Sequence, residues 1–433
     1  MGPADALDRF SPATRDWFSG SFDEPTAAQI GAWEAISSGE HTLVVAPTGS
    51  GKTLSAFLWA LDRLTTTPPP TEPLRRCRIL YISPMKALAV DVERNLRSPL
   101  VGIGHAAARL GLAKPDVSVA VRSGDTSAAD RRVFARRPAD VLITTPESLF
   151  LILTSKAREA LAGVETIILD EVHAVAGTKR GAHLMLSLER LDALLDRPAQ
   201  RVGLSATVRP VEEVSRFLAG GRPVTVVQPT STKQWDLQVV VPIPDMSSLG
   251  ELTGDLSGAA AGAQQRASIW PHVEERIVDL IAQHRSTLVF ANSRRLAERL
   301  TARLNEIWEE RLELESVATE SISDTTATGT ARTQHFPASG KGHPPAELMA
   351  QAGLSRGAPA MLARAHHGSV SKEQRALIED DLKAGRLPAV VATSSLELGI
   401  DMGAIDLVIQ VESPPSVASG LQRVGRAGHQ VGA

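Results

Sequence analysis

The stretch Ala46-Pro47-Thr48-Gly49-Ser50-Gly51-Lys52-Thr53 decides the fold. It follows the apolar run Thr42–Val45 and precedes a helix-forming run, Leu54–Leu64. A glycine-bearing turn between a strand and a helix, closed by Lys-Thr, is a P-loop in its proper context. Within Thr48-Gly49-Ser50-Gly51 the glycines let backbone N–H groups turn inward around phosphates, and the N-terminus of the next helix adds partial positive charge. Lys52 sets a point charge against the β and γ phosphates. The Thr53 hydroxyl is a ligand for Mg²⁺. The cofactors implied are therefore ATP and Mg²⁺. Ala46 stands where the usual pattern has its first glycine.

Short β-rich apolar runs alternate with helical stretches around this loop, which points to parallel α/β sheets. A first set comprises Thr42–Ala46, Arg78–Ser83, Val117–Arg122, Asp140–Thr144, Thr166–Asp170 and Val202–Ser205. A second comprises Ser286–Ala291, Pro388–Thr393 and Leu407–Val411. Two sets imply two α/β domains, 1–228 and 229–433, joined near the linker-like Gln228-Pro229-Thr230-Ser231-Thr232. Thr65–Pro73 reads as a surface loop. Residues 316–359, rich in Ala, Thr, Ser, Gly and Pro with little apolar periodicity, read as a flexible insertion, a small helical subdomain being the alternative.

Of the 433 residues, 43% are hydrophobic and 22% charged, ordinary for a soluble globular protein. No apolar run approaches the roughly 18 residues of a membrane helix. The N-terminus, MGPADALDRF, lacks a basic region followed by an apolar core, so cytoplasm is the expected compartment. The single cysteine, Cys77, excludes a disulfide framework within the chain and argues against a cysteine-based zinc site.

Asp170-Glu171-Val172-His173 ends the apolar run Thr166–Leu169, a Walker B arrangement. Asp170 would hold Mg²⁺, and Glu171 can orient and deprotonate the attacking water, as phosphoryl transfer requires. His173 either couples ATP to a second ligand or caps the strand end. Gln29, in Phe22-x-x-Pro25-Thr26-x-x-Gln29, offers a carboxamide donor and acceptor suited to an adenine edge. Ser205-Ala206-Thr207 follows a strand downstream of Asp170-Glu171, where its hydroxyls can link the Mg²⁺ site to the second domain. In Gln422-Arg423-Val424-Gly425-Arg426-Ala427-Gly428 an arginine can neutralise γ-phosphate charge in the transition state, an effect of roughly 10³–10⁵ in rate. Arg426 is the first candidate and Arg423 the second. Asp401 is placed to contact the ribose or order this finger, and Gly399 to let the backbone approach the phosphates.

These pieces occur in one order with Ser83-Pro84-Met85-Lys86, Thr144-Thr145-Pro146-Glu147, Val289-Phe290-Ala291-Asn292-Ser293 and Ala392-Thr393-Ser394-Ser395 between them. The series resembles superfamily 2 helicases of the DExH type. Asp170 to Leu184, His366-His367-Gly368-Ser369 and Gln422 to Gly432 resemble the bacterial large helicase-related (Lhr) family. Where many superfamily 2 proteins carry a third arginine, this chain has His429.

The resemblance implies two tandem RecA-like domains. Family members continue past the position of Ala433 with the rest of the second domain, a winged helix and further domains. The sequence is therefore expected to be an N-terminal motor fragment with its second domain incomplete. The family is expected to move 3′ to 5′ on single-stranded DNA and to unwind DNA or RNA:DNA duplexes, in DNA repair, with Gln422 and His173 among the coupling residues. RNA is a possible alternative partner. A local RNA-duplex melter, or an ATP-gated clamp without unwinding, is the rival function.

In superfamily 2 motors the strand crosses both domains away from ATP. The matching positions are Ser83, Lys86, Thr144, Thr145 and Pro146, then Asn292, Ser293, Thr393 and Ser394. Small hydroxyl residues at strand ends suit phosphate contacts. The net charge of −3 advertises no basic surface, but a grip made of backbone N–H groups, hydroxyls and a few arginines needs none.

Overall fold

A computed structural model describes residues 3–47, 49–206, 208–230, 236–243, 252–253, 265–266, 268–323, 362–397, 403 and 405–428. Two compact units emerge, the first built chiefly from Met1–Lys233 and the second from Gln234–Glu397 and Met402–His429.

The first unit is organised by seven strands: β1 (Thr42–Val45), β2 (Ile79–Ile82), β3 (Val119–Arg122), β4 (Val141–Thr144), β5 (Thr166–Leu169), β6 (Gln200–Ser205) and β7 (Thr225–Val227). They form one sheet in the order β3-β4-β2-β5-β6-β1-β7, every pairing parallel. The central strands are four-residue apolar runs buried along their whole length, as a sheet covered on both faces demands. Parallel pairing collects all the carboxyl ends at one edge, where open α/β sheets bind ligands.

Helices α1 (Pro3–Leu7), α2 (Pro12–Ser21) and α3 (Ala27–Ser37) precede β1. Helix α4 (Lys52–Thr66) follows β1, α5 (Lys86–Arg109) follows β2, α6 (Ala128–Arg136) follows β3 and α7 (Pro146–Leu153) follows β4. After β5 come α8 (Val172–Val175) and α9 (Lys179–Asp192), and after β6 comes α10 (Val211–Ala219). Alternate strand residues face opposite helix layers. Leu80, Ile82, Leu142 and Leu169 pack with Leu184 and Leu188 of α9. Tyr81, Ile143 and Ile168 pack with Phe57 and Leu61 of α4 and Val92 of α5. An aromatic cluster of Phe10, Trp17, Phe18 and Trp33 fastens α2 and α3 to α4 and α5. Trp33 is wholly buried there, and its truncation to alanine would cost about 3–5 kcal/mol. Cys77 is buried just before β2, and desolvation pushes its thiol up to about 12.

In the second unit a two-residue antiparallel pair, β8 (Leu252–Thr253) with β9 (Gln265–Arg266), precedes α11 (Trp270–Ala282). Strands β10 (Thr287–Phe290), β11 (Ala363–His366), β12 (Ala389–Ala392) and β13 (Leu407–Gln410) form a parallel sheet in the order β11-β12-β10-β13. Its helices are α12 (Arg294–Ser323), α13 (Lys372–Lys383) and α14 (Val417–Val424). Ile277 and Ile281 of α11 and Leu300 and Leu304 of α12 close over Val289 and Val391.

Helix α12 runs into the first residues of the stretch expected to be a flexible insertion, ending at Ser323. Residues 316–323 contain no glycine or proline, the residues that break helices, although that segment lacks apolar periodicity. The rest of that stretch lies outside the described residues. Among the described residues no helix is long and apolar enough to cross a membrane.

Candidate nucleotide and nucleic-acid site

The phosphate loop is shaped by two glycines with left-handed backbone, Gly49 at φ 84° and Gly51 at φ 75°. The positive φ calls for glycine at Gly51, where an added Cβ would lie 2.6 Å from Gln29 Nε2 and push that side chain aside. The loop is tied to α3 by Thr26 Oγ1, which donates to the Ser50 carbonyl at 2.9 Å. Lys52 opens α4, and its ammonium donates to the Ala46 carbonyl across the loop. Thr48 lies outside the described residues.

Gln29 is buried and does two jobs. Its Oε1 accepts the Thr26 N–H at 2.9 Å while its own N–H donates to Thr26 Oγ1 at 3.2 Å. This is a capping box that starts α3. The carboxamide's oxygen is thus engaged by the helix end, and its Nε2 is the group beside the loop.

At the carboxyl end of β5, Asp170 and Glu171 are both buried. Asp170 Oδ1 accepts the Glu171 N–H at 2.9 Å, and Oδ2 accepts the hydroxyl of Tyr81. Burial first, and the neighbouring Glu171 carboxylate second, push the Asp170 carboxyl up to about 7. Glu171 has a left-handed backbone, φ 47° and ψ 48°, which costs a non-glycine residue strain. His173 Nδ1 accepts the Ala206 N–H at 3.2 Å and lies 3.3 Å from Ser205 Oγ. A neutral ring accepting at Nδ1 carries its proton on Nε2, which faces Glu171 Oε2 at 3.5 Å. The ring is thus bonded to the Ser205-Ala206 segment through Nδ1 and stands beside the Glu171 carboxylate on its other side. Thr207 lies outside the described residues.

Thr53 and Asp170 present hydroxyl and carboxylate oxygens, the hard donors that Mg²⁺ takes. Among the described residues no group of three His, Cys, Asp or Glu could cage a metal. The buried, mutually repelling Asp170–Glu171 pair is a place where a cation is favourable.

Most expected nucleic-acid positions of the first unit spend their hydroxyls on the scaffold. Ser83 is fully buried and its Oγ donates to the Met85 carbonyl at 2.9 Å. Thr144 is fully buried and its Oγ1 donates to the Arg122 carbonyl at 2.7 Å. Thr145 caps α7, accepting from Ser148 N–H at 3.4 Å, and Pro146 is the first residue of that helix. Lys86 is the member of this set with its charge at the surface, paired with Asp125 at 2.6 Å.

In the second unit Ser293 Oγ accepts the Leu296 N–H at the start of α12. Asn292 Nδ2 donates to the Ser413 carbonyl at 2.8 Å, and its Oδ1 accepts from Arg423 Nη1 at 3.0 Å. Arg423 also donates to Gln410 Oε1 at 2.9 Å and Glu397 Oε2 at 3.2 Å, and lies 5.3 Å from the centroid of the Phe290 ring. Arg426 is buried and donates to the Glu397 carbonyl at 3.1 Å. Thr393 and Ser394 follow β12; Ser394 is exposed and Gln422 half-buried on α14. Gly399, Asp401 and His429 lie outside the described residues. Two residues not singled out from the sequence thus hold those that were: Tyr81 beneath Asp170, and Glu397 beneath both arginines.

A P-loop opening a helix beside a strand that ends in Asp-Glu, on a parallel sheet followed by a second parallel α/β unit, defines a P-loop NTPase with two RecA-like halves. The DEAD/DEAH box helicase family matches residues 26–214, and the helicase conserved C-terminal domain matches residues 347–430. The chain is 63% identical over 429 residues to the Lhr helicase/probable uracil glycosylase of Mycolicibacterium smegmatis, covering 99% of this chain and 26% of that protein. It is 53% identical to the Lhr helicase/uracil glycosylase of Escherichia coli, covering 98% of this chain and 27% of that protein. The structure of Mycobacterium smegmatis helicase Lhr bound to ssDNA and AMP-PNP matches with a TM-score of 0.77 at 59% identity, over 99% of this chain and 47% of that one. The chain thus carries a DEAD/DEAH box helicase domain and a helicase conserved C-terminal domain and is similar to Lhr helicases, spanning about a quarter of the length of these two curated relatives.

Proposed function

We propose that this chain is the ATP-hydrolysing motor of a helicase that moves 3′ to 5′ on single-stranded DNA and opens DNA or RNA:DNA duplexes, serving DNA repair. One observation carries most weight. His173 stands between Glu171, 3.5 Å from its Nε2, and the Ser205-Ala206 segment, whose Ala206 N–H its Nδ1 accepts, so the group assigned to activate water lies against a side chain bonded to a neighbouring strand end. A plain ATPase needs no such link; a motor that times hydrolysis by its track does. The M. smegmatis Lhr structure, bound to single-stranded DNA and AMP-PNP, supports the choice of ligands.

In this mechanism Lys52 and the loop N–H groups hold the β and γ phosphates. Thr53 and Asp170 would hold Mg²⁺, which would supply charge neutralisation to the phosphoryl oxygens. Glu171 orients the water and accepts its proton, with His173 Nε2–H steadying the carboxylate. Gln29, Gly399 and Asp401 are assigned to the nucleoside and phosphates. Arg426, with Arg423, is assigned to the charge that develops on the γ-phosphate. Lys86, Pro146, Asn292 and Ser394, with the segments that carry Ser83, Thr144, Thr145, Ser293 and Thr393, are assigned to the nucleic-acid backbone.

The test is the ATPase rate without nucleic acid, with single-stranded DNA and with single-stranded RNA, on this chain and on Glu171→Gln. Stimulation by DNA that disappears in the variant is the expected result. Stimulation by RNA alone would replace the DNA assignment with an RNA helicase. An unstimulated rate under both conditions would overturn coupling within this chain.

A further inference from the structure

Tyr81 is the one tyrosine in the sequence and is wholly buried in the third position of β2. A buried phenol needs a partner for its hydroxyl. Here the hydroxyl donates to Asp170 Oδ2, while the ring stacks on Phe57 of α4 with centroids 4.8 Å apart and planes 25° apart. The other carboxylate oxygen, Oδ1, is held by the Glu171 N–H at 2.9 Å. Two fixed donors, one on each oxygen, therefore set the rotation of the carboxylate, and each oxygen keeps a lone pair for a further ligand. Three segments meet at this ring: α4, whose first residue is Lys52; β2, which leads into Ser83–Lys86; and β5, which ends beside Asp170.

We infer that Tyr81 is a positioning residue that presets Asp170 for the metal of Mg·ATP and so lowers the Mg²⁺ concentration that hydrolysis requires. The inference rests on the assignment of Asp170 as a Mg²⁺ ligand. Partners that orient a metal ligand are worth about 10–100-fold in metal affinity when removed. Phenylalanine at this position keeps the stack on Phe57 and removes only the donor.

The experiment compares the chain with Tyr81→Phe and Asp170→Asn, after circular dichroism and thermal midpoints establish that each is folded. ATP hydrolysis is titrated with Mg²⁺. Separately, the chain is labelled with 3-fluorotyrosine, which yields one ¹⁹F resonance because there is one tyrosine. Tyr81→Phe is expected to raise the Mg²⁺ half-saturation about tenfold or more, with kcat at saturating Mg²⁺ largely kept. The ¹⁹F resonance is expected to move when Mg²⁺ joins the ADP-bound chain and to stay put when ADP is added with EDTA. An unchanged half-saturation in Tyr81→Phe, or a resonance indifferent to Mg²⁺, overturns the inference. Should Asp170→Asn keep the wild-type Mg²⁺ dependence, the metal assignment itself falls. Should Asp170→Asn lose it while Tyr81→Phe does not, only the role of Tyr81 falls.

Discussion

Asp170 occupies a position that is poor for an empty protein and good for a loaded one. Its carboxyl is pushed from the ordinary 3.8 up to about 7, by burial and then by Glu171. A carboxyl whose folded pKa is raised binds its proton more readily in the folded chain. The stability it contributes is therefore present in acid and is lost as the pH rises from about 4 through about 7. Asp170→Asn removes that burden, its amide oxygen able to accept the Glu171 N–H while its Nδ2 donates to the Tyr81 hydroxyl oxygen. The variant should melt higher than the parent without nucleotide, by a margin that grows between about pH 5 and about pH 8, while hydrolysis is lost. For a domain of this size 1 kcal/mol moves Tm by about 2–4 °C. Calorimetry on both proteins at two pH values checks this; an equal or lower midpoint at the higher pH contradicts it. Lys52, Asp170 and Glu171 stand out in the sequence as candidates because each sits in a contiguous motif. Tyr81 does not, since its partner lies 89 residues away and only the pairing of β2 with β5 joins them. Nor could the sequence tell that Ser83 and Thr144 spend their hydroxyls on neighbouring carbonyls, because a strand-end hydroxyl suits either use.

At the scale of elements, the start of α3 and the phosphate loop share one side chain. Gln29 caps the helix through Oε1 and sets Nε2 beside Gly51. Glutamate at the same place can still close a capping box, but it cannot donate. Gln29→Glu should thus keep the parental Tm and lose affinity for ATP. Gln29→Ala should lose affinity and also stability, by about 0.5–2 kcal/mol for the cap. Fluorescent-nucleotide titration beside thermal melts separates the two; parental affinity in Gln29→Glu would reduce the residue to a cap. Elements built from unbroken apolar runs, such as β2 and β4, could be read directly from the sequence. Strand β7 could not, because it is a three-residue edge strand with largely exposed side chains. Strand β11 could not either: its Ala-Arg-Ala-His has no β-branched residue, and its pairing with β12 makes it a strand.

At the scale of the whole molecule, among the described residues each unit has apolar clusters of its own. Units with separate cores unfold as separate cooperative blocks. Calorimetry should resolve two transitions, and ADP should raise the one belonging to the P-loop unit by about 2.7 kcal/mol at a hundredfold excess over Kd. A single transition that ADP leaves in place would contradict this. The two-sheet organisation was readable because each half announces itself with its own ordered set of strand-end motifs. What the sequence could not supply is the order of strands within each sheet, which depends on pairings between distant segments.

The lone thiol has a practical consequence. Cys77 is sealed behind β2 and held protonated, so it offers no thiolate to a maleimide at neutral pH. Cysteines introduced on the surface, one in each unit, would therefore accept a dye pair without any native cysteine having to be removed first. The unmutated protein is already the labelling background that single-molecule energy transfer needs.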